Sequence, residues 1–355
     1  MPPRLRVDDF AYELPEAAIA QTPAEPRDSA RLLVLHRSRS SPGAPALAHR
    51  TFRALGQELR AGDLLVVNDS RVIPARLPAR RPGGGAAEVL LLRPTDDATG
   101  RWEALVRPSR RLRDGVTLTL RSGDQVEVGE RLGSGTRAVR FDRDPAQVMA
   151  AAGEMPLPPY IRGRSSPPER YQTVYARPPG SAAAPTAGLH FTPALLASLE
   201  AAGIRRASVT LHVGLDTFRP LEGEYVDEHQ IHREWYEMPR WTRAAIDETR
   251  RDGGRVVAVG TTAVRVLETA ARSQQTSGWT DLYITPPYAF RGVDGLITNF
   301  HLPGSSLLLL VTAFVQAGMP GSTPLDARDT LLAAYAGALA QGYRFFSFGD
   351  AMLIG

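Results

Sequence analysis

Apolar and polar positions follow two different rhythms along this chain. Near the start, residues 32–35 form a short apolar run of strand type, and residues 64–67 form a second, Leu-Leu-Val-Val. Four consecutive apolar residues suit a strand covered on both faces. Between them, Phe52, Leu55 and Leu59 share one side of a short helix, and the Ser/Pro/Gly-rich stretch 36–48 reads as an exposed hairpin loop. From about residue 72 to residue 141 the rhythm shortens. Strand-like runs at 88–93, 102–107, 116–121, 125–128 and 136–141 are separated by turn residues at 83–85, 113–115 and 122–124. Regular short strands with no helix between them predict a small barrel. The triple glycine at 83–85 leads into a strand, so it is a turn and not a phosphate loop. A helix is predicted at 145–152, followed by an extended, proline-stiffened stretch at 154–162.

Beyond residue 190 the pattern lengthens and alternates between helix and strand. Thr192 is placed as N-cap, Pro193 as first helical residue, Leu195, Leu196 and Leu199 on one face, and Gly203 as the stop. Strands are predicted at 207–213, 255–259, 282–284 and 296–298. Helices are predicted at 244–251, after Gly260, and through Leu307, Leu310, Val311 and Phe314. Residues 343–350 read as a last strand running into a polar tip. Repeated strand–loop–helix units predict an α/β fold with a largely parallel sheet flanked by helices.

Composition narrows the chemistry. The 355 residues suffice for two domains. There is no cysteine, which removes disulfides, thiolate zinc sites and a cysteine nucleophile. There is no lysine either, so all 42 basic residues are arginine, and a Schiff base or a P-loop lysine is excluded. The net charge of +4 and a pI of about 9.6 leave room for an anionic partner such as nucleic acid. No apolar run reaches the roughly 18 residues of a membrane span, and the first ten residues lack an apolar signal core. These features predict a cytoplasmic protein.

Polar residues gather where strands are predicted to end: Asn68, Asp69, Ser70 and Arg71; residues 214–219; Gly260, Thr261 and Thr262; Asn299, Phe300 and His301; Gly349 and Asp350. If the strands are parallel, these tips share one edge of the sheet, where open α/β sheets bind ligands. The small-residue loop 184–191, carrying Thr186 and His190, leads into the helix capped by Thr192. Its histidine reads equally as a packed residue. Gly260-Thr261-Thr262 at a strand-to-helix turn suits a carboxylate or phosphate, and equally a simple threonine N-cap. No G-x-G-x-x-G or G-x-S-x-G is present. His229 and His232, with Glu228 and Glu234 alongside, lack the H-E-x-x-H spacing, so they read as polar or structural and no metal is expected. Arg107, Arg110, Arg111 and Arg113 form a basic run that suits an RNA backbone or simply a solvated face.

Several longer stretches carry a resemblance. They are Gly62-Asp-Leu-Leu-Val-Val-Asn-Asp-Ser-Arg-Val-Ile-Pro-Ala-Arg76, Pro156-Leu-Pro-Pro-Tyr-Ile161, Arg170-Tyr-Gln-Thr-Val-Tyr-Ala176, Ala183-Ala-Pro-Thr-Ala-Gly-Leu-His-Phe-Thr192, Thr210-Leu-His-Val-Gly214, Ala258-Val-Gly-Thr-Thr262, Thr298-Asn-Phe-His-Leu-Pro303 and Tyr343-Arg-Phe-Phe-Ser-Phe-Gly-Asp-Ala-Met352. In order and over nearly the whole chain, they resemble the S-adenosylmethionine:tRNA ribosyltransferase-isomerases of queuosine biosynthesis. The resemblance implies a mixed α/β domain, residues 1–71 and 152–355, with an inserted β-barrel, residues 72–151. It implies transfer of the ribosyl portion of S-adenosylmethionine to 7-aminomethyl-7-deazaguanine at the tRNA wobble position, giving epoxyqueuosine and releasing adenine and methionine. S-adenosylmethionine is then a co-substrate, tRNA the partner, and no metal is needed; a monomer is expected.

On the same basis His190 and His212 are the proton-transfer candidates, with Asp69 and Asp350 as orienting carboxylates. Thr186, Gly188, Gly260, Thr261, Thr262, Asn299 and His301 would hold the donor. Arg71, Arg76, Tyr160, Arg170 and Tyr171 would meet tRNA or the modified base, turned out of the anticodon stack. Three residues depart from the family pattern, Asp216, Pro287 and Gly304. The other classes considered are a related transferase acting on a small-molecule amine and an RNA-binding protein without catalysis.

Overall fold

The computed structural model describes residues 4–96, 100–109, 112–132, 135–158, 160–162, 167–214 and 221–355. They form two compact units, one of residues 1–70, 159–178 and 184–355, the other of residues 71–158 and 179–183. Seventeen strands are numbered in chain order. The first unit holds β1 (Arg31–Leu35), β2 (Leu47–Thr51), β3 (Leu64–Asn68), β12 (Arg205–Leu211), β13 (Glu234–Glu237), β14 (Val256–Val259), β15 (Ser277–Thr280), β16 (Gly295–Asn299) and β17 (Ala351–Ile354). They make one nine-stranded sheet in the order β15-β13-β12-β3-β14-β16-β17-β1-β2.

The four strands β12, β3, β14 and β16 run parallel in the middle of this order. β3 and β14 are almost wholly apolar, as burial on both faces requires, whereas β12 and the end of β16 carry polar residues. One face packs Leu65, Val67, Val257, Val259 and Ile297 against Phe52, Leu195 and Leu199. The last two belong to helix α2 (Pro193–Ala201), capped by the Thr192 hydroxyl, which accepts from Leu195 N, with Pro193 opening the helix. The other face carries α3 (Arg240–Arg251) and α4 (Thr261–Ser273). Helices α5 (Ser306–Ala317) and α6 (Pro324–Ala340) pack together. Flanking β16, strand β17 runs antiparallel to it and parallel to β1. The sheet is therefore mixed, with its parallel part at the centre.

The starts of three central strands are tied through one residue. Asp63, fully buried, precedes β3 and accepts from Arg60 N (3.0 Å), Arg255 N (3.1 Å) and the Arg255 guanidinium (2.6 Å). Its own carbonyl accepts from Arg205 N, at the start of β12. Burial alone would raise the carboxyl's pKa, but the Arg255 guanidinium and the backbone N–H groups outweigh it and hold it below the usual range.

The second unit is a closed barrel in the order β10-β7-β6-β5-β8-β9. Its strands are β5 (Arg76–Arg80), β6 (Ala86–Asp96), β7 (Arg101–Arg107), β8 (Val116–Leu120), β9 (Gln125–Arg131) and β10 (Arg137–Phe141). Leu77, Val89, Leu91, Val106, Leu118, Val126 and Val139 fill it. Arg137, 1% exposed, is satisfied by the carbonyls of Gly129 and Leu112 and by Asp114. Helix α1 (Pro145–Ala152) belongs here, as does the parallel pair β4 (Arg71–Val72) and β11 (Pro179–Ser181).

Some expectations are corrected. Residues 343–350 are a turn, curled by Gly349 N→Phe346 O and Asp350 N→Arg344 O, and the strand comes after it. Residues 282–284 lie outside any strand, because β15 ends at Thr280, whose hydroxyl accepts from Leu282 N. The stretch read as a helix at 51–59 is a 3-10 turn, Phe52–Gln57. Strand β5, whose Pro78 argues against a strand, and helix α6 were not expected, although Thr323-Pro324 with Asp326 is a capping box. No helix among the described residues is long and apolar enough to cross a membrane.

Because Asp63 serves two strand starts, Asp63→Ala is expected to lower the unfolding free energy by about 3–5 kcal/mol, as for other half-removed buried pairs. Urea denaturation measures this. A loss below about 1 kcal/mol would remove Asp63 from that role.

Candidate functional site

The C-terminal ends of β12, β3, β14 and β16 share one sheet edge because these strands are parallel. The tip Gly349-Asp350 precedes its strand instead of following one. It reaches the same edge because β17 is antiparallel to β16, with Ala351 opposite Asn299. The Thr186–His190 stretch is a 3-10 turn laid across this edge.

Two side chains fix that turn. Asn299 Oδ1 accepts from the Thr186 hydroxyl (3.0 Å) while its Nδ2 donates to Phe346 O (3.1 Å), so one amide joins the turn, the end of β16 and the segment before β17. His190, 4% exposed, sits with Nδ1 3.1 Å from Ala187 O and Nε2 2.9 Å from Gly349 O, its ring stacked on Phe52. Burial disfavours its protonated form more than the two carbonyls favour it, so its pKa is lowered. Phe346 has φ +76, a left-handed conformation costing a non-glycine residue on the order of 1–3 kcal/mol. Its carbonyl is held by Asn299 and Gly349 N, and its ring meets Tyr160 edge-on at 4.3 Å.

These elements enclose a cavity lined by residues 184–187, 260–262, 298–302 and 346–347, with Val213, Ser305 and Leu307. At one wall α4 begins. Gly260, with φ +90, is its N-cap, and no side chain caps the helix. Thr262 does not cap; its hydroxyl is buried without a hydrogen-bond partner. An uncapped helix start with a spare hydroxyl favours a negatively charged group. Thr186, Gly260, Thr261, Thr262, Asn299 and His301 therefore lie on this cavity. Phe346 and Ser347 also line it, and carry no site signal in the sequence because residues 343–350 read as a strand.

His301, 8% exposed, bonds through Nε2 to the Thr298 hydroxyl at 2.8 Å, and burial pushes its pKa down to about 3. His212, just past β12, is different. Its ring is stacked on Trp235 (5.3 Å, 18°), and its Nδ1 is buried with no partner. Burial lowers its pKa, and the charge of Asp69 partly opposes this. Asp69 follows β3, between β12 and β14 in the sheet, and accepts from the Thr210 hydroxyl at 2.7 Å. Asp350 accepts from Arg31 N and Arg344 N, both at 2.8 Å, so it anchors its own segment.

Gly188 does not line the cavity. A Cβ there would strike the Tyr175 hydroxyl and approach Thr173 Cγ2 to 2.9 Å, so its smallness serves packing. Tyr160 bonds Ser347 through its hydroxyl. Arg170 donates to Ala24 O and pairs with Glu25, and Tyr171 is buried edge-on to Phe348. Arg71 and Arg76 belong to the barrel unit, where the Arg76 guanidinium is held by Glu88 at 2.6 Å. His229 accepts from Glu222 N at 3.3 Å. Asp216, with most of the 214–219 tip, and Arg110 and Arg111 lie outside the described residues. Gly304 has φ +59, which explains a glycine there; neither it nor Pro287 lines the cavity.

Fold and cavity together are those of an α/β enzyme with an inserted β-barrel. Residues 7–354 match the profile of a family described as "Queuosine biosynthesis protein". The S-adenosylmethionine:tRNA ribosyltransferase-isomerase of Rubrobacter xylanophilus is 50% identical over 99% of this chain and 98% of its own. That of Moorella thermoacetica is 50% identical over 99% and 100%. A crystal structure of the S-adenosylmethionine tRNA ribosyltransferase from Thermotoga maritima matches 98% of this chain and 100% of that one, with 39% identity and a TM-score of 0.55. This chain belongs to the S-adenosylmethionine:tRNA ribosyltransferase-isomerase family.

The lowered His301 pKa has a thermodynamic consequence. The unfolded chain takes up a proton at this residue near pH 6.5 and the folded chain only near pH 3, so stability falls as pH falls through that window. Between pH 6.5 and pH 5 the wild type should lose about 2 kcal/mol more than His301→Gln. Urea titrations at both pH values measure the difference, and equal slopes would contradict it.

Proposed function

We propose that this chain transfers the ribosyl portion of S-adenosylmethionine to the aminomethyl group of a 7-deazaguanine at the wobble position of tRNA, with release of adenine and methionine and formation of epoxyqueuosine. Family membership supports the reaction. The observation that carries the site is the gathering of Thr186, Gly260, Thr261, Thr262, Asn299 and His301 on one cavity at the C-terminal strand edge. The uncapped start of α4 and the spare Thr262 hydroxyl suit the donor's carboxylate.

The donor's sulfonium acidifies the neighbouring ribose C5′ hydrogens, so a neutral base can begin the reaction by removing one as a proton. His212 fits that role better than His190. Both rings are buried enough to stay neutral, but His190 has each nitrogen against a carbonyl, whereas His212 has a free Nδ1. The carboxylate of Asp69, held by Thr210, would stabilise the imidazolium that forms. His190 and Asp350 then act by holding the 186–190 turn and the 343–350 turn in place. No step in this scheme calls for a metal ion, and the chain acts in the cytoplasm as a monomer.

With S-adenosylmethionine and tRNA bearing the aminomethyl-deazaguanine, adenine and methionine should appear in step with RNA labelling. Release of S-adenosylhomocysteine instead, or labelling of a small amine without RNA, would overturn the reading. So would tRNA binding with no turnover. His212→Gln should lower kcat by about 10²–10⁴ with little change in donor affinity. In the wild type the acid limb of kcat/KM should fall below the ordinary histidine value of 6.5, because the base stays neutral to lower pH. A limb at or above 6.5 would point to another base.

A further inference from the structure

The barrel unit carries a charge pattern that its fold does not use. Residues 71–158 and 179–183 hold 15 arginines against 11 aspartates and glutamates, so they account for the whole net charge of +4. The barrel strands pair antiparallel throughout, which sends β5, β7 and β9 to one end of the barrel and β6, β8 and β10 to the other. All three strands that arrive at the first end finish on an arginine: Arg80, Arg107 and Arg131. Arg81 follows in the hairpin to β6, lying against Gly85, and Arg113 precedes β8 in the loop from β7. Arg80, Arg107, Arg113 and Arg131 are exposed. None of the five has an ion pair with a described residue, whereas every other described arginine from Arg76 to Arg143 pairs with a carboxylate. The carboxylates nearest this end are already occupied, Glu88 by Arg76, Asp114 by Arg137 and Glu130 by Arg101.

We infer that this end of the barrel holds the phosphate backbone of the tRNA, an inference that rests on the reading that tRNA is the acceptor. A guanidinium keeps its charge at any physiological pH, and its planar fork of donors matches the oxygens of a phosphate. Five of them gathered without partners repel one another, and a polyanion relieves that repulsion. The distribution of apolar surface argues against a protein partner. The large exposed apolar side chains, Val174, Trp241 and Trp279, all belong to the other unit, so the described part of the barrel offers no apolar anchor for a protein interface. For the same reason it offers no exposed ring on which a base could stack. Contact here is with the backbone, and it captures and orients the RNA without reading its sequence.

The test uses the full chain and tRNA carrying 7-aminomethyl-7-deazaguanine. Arg80→Gln combined with Arg107→Gln should weaken tRNA binding by about tenfold at about 50 mM salt, and should make the slope of log affinity against log salt shallower by about two. KM for tRNA should rise in step, while kcat at saturating tRNA, the affinity for S-adenosylmethionine without RNA and the melting temperature stay as in the wild type. Arg121→Gln combined with Arg140→Gln removes the same charge toward the opposite end of the barrel, where both arginines are paired, and should leave tRNA affinity near the wild-type value. An equal loss in the two double variants would reduce the effect to overall charge and overturn the surface. Unchanged affinity and slope in the first variant would overturn it as well, and normal turnover would leave the reaction standing in either case. Retained tRNA affinity with loss of binding to phosphatidylserine vesicles would assign the arginines to a lipid surface instead. Absence of tRNA binding by the wild type would remove the tRNA reading itself, and the surface with it.

Discussion

Asp63 holds the beginnings of β3, β12 and β14 together: its buried carboxylate accepts from Arg60 N, Arg255 N and the Arg255 guanidinium, and its main-chain carbonyl accepts from Arg205 N. Asp69, His212 and Gly260 each lie one residue past the end of one of these strands. Little of the cavity wall at this edge is made by long flexible side chains. Gly260, Thr261, Thr262 and Asn299 present short groups and backbone from strand and helix ends, where position is set by the sheet.

Much of this was legible in the residues. The apolar runs of β3 and β14 announce strands buried on both faces, and Thr192-Pro193 announces the start of α2. The barrel could be read from five of its six strands. The gathering of Gly260, Thr261, Thr262, Asn299 and His301 at one sheet edge followed from polar tips after apolar strands. What could not be read depends on partners distant in sequence. His190 is adjacent to Thr186 in every local sense, yet its Nε2 meets the carbonyl of Gly349, 159 residues away. A backbone acceptor leaves no signature in side-chain pattern. The segment 343–350 looked like a strand because it is aromatic, but a left-handed Phe346 curls it into a wall of the cavity.

Four of the histidines show how position alone divides one residue type into different parts. His301 is bonded to Thr298 and kept neutral by burial; His190 ties two turns together; His49 bonds Tyr343 at 2.8 Å; His212 alone among them has a buried nitrogen without a partner. The register of β12 against β13 decides this last case, because it lays the ring flat on Trp235. A one-residue slip would turn it to the other face.

The placement of β17 carries a consequence for how the chain comes into being. Residues 351–354 lie in the middle of the sheet, between β16 and β1, and residues 346–350 supply the carbonyls that hold Asn299 and His190. While a ribosome is still adding these residues, β1 and β16 each lack a neighbour and the cavity lacks a wall. The barrel draws on none of these residues, so the central sheet and the cavity wall depend on a segment far along the chain while the barrel does not.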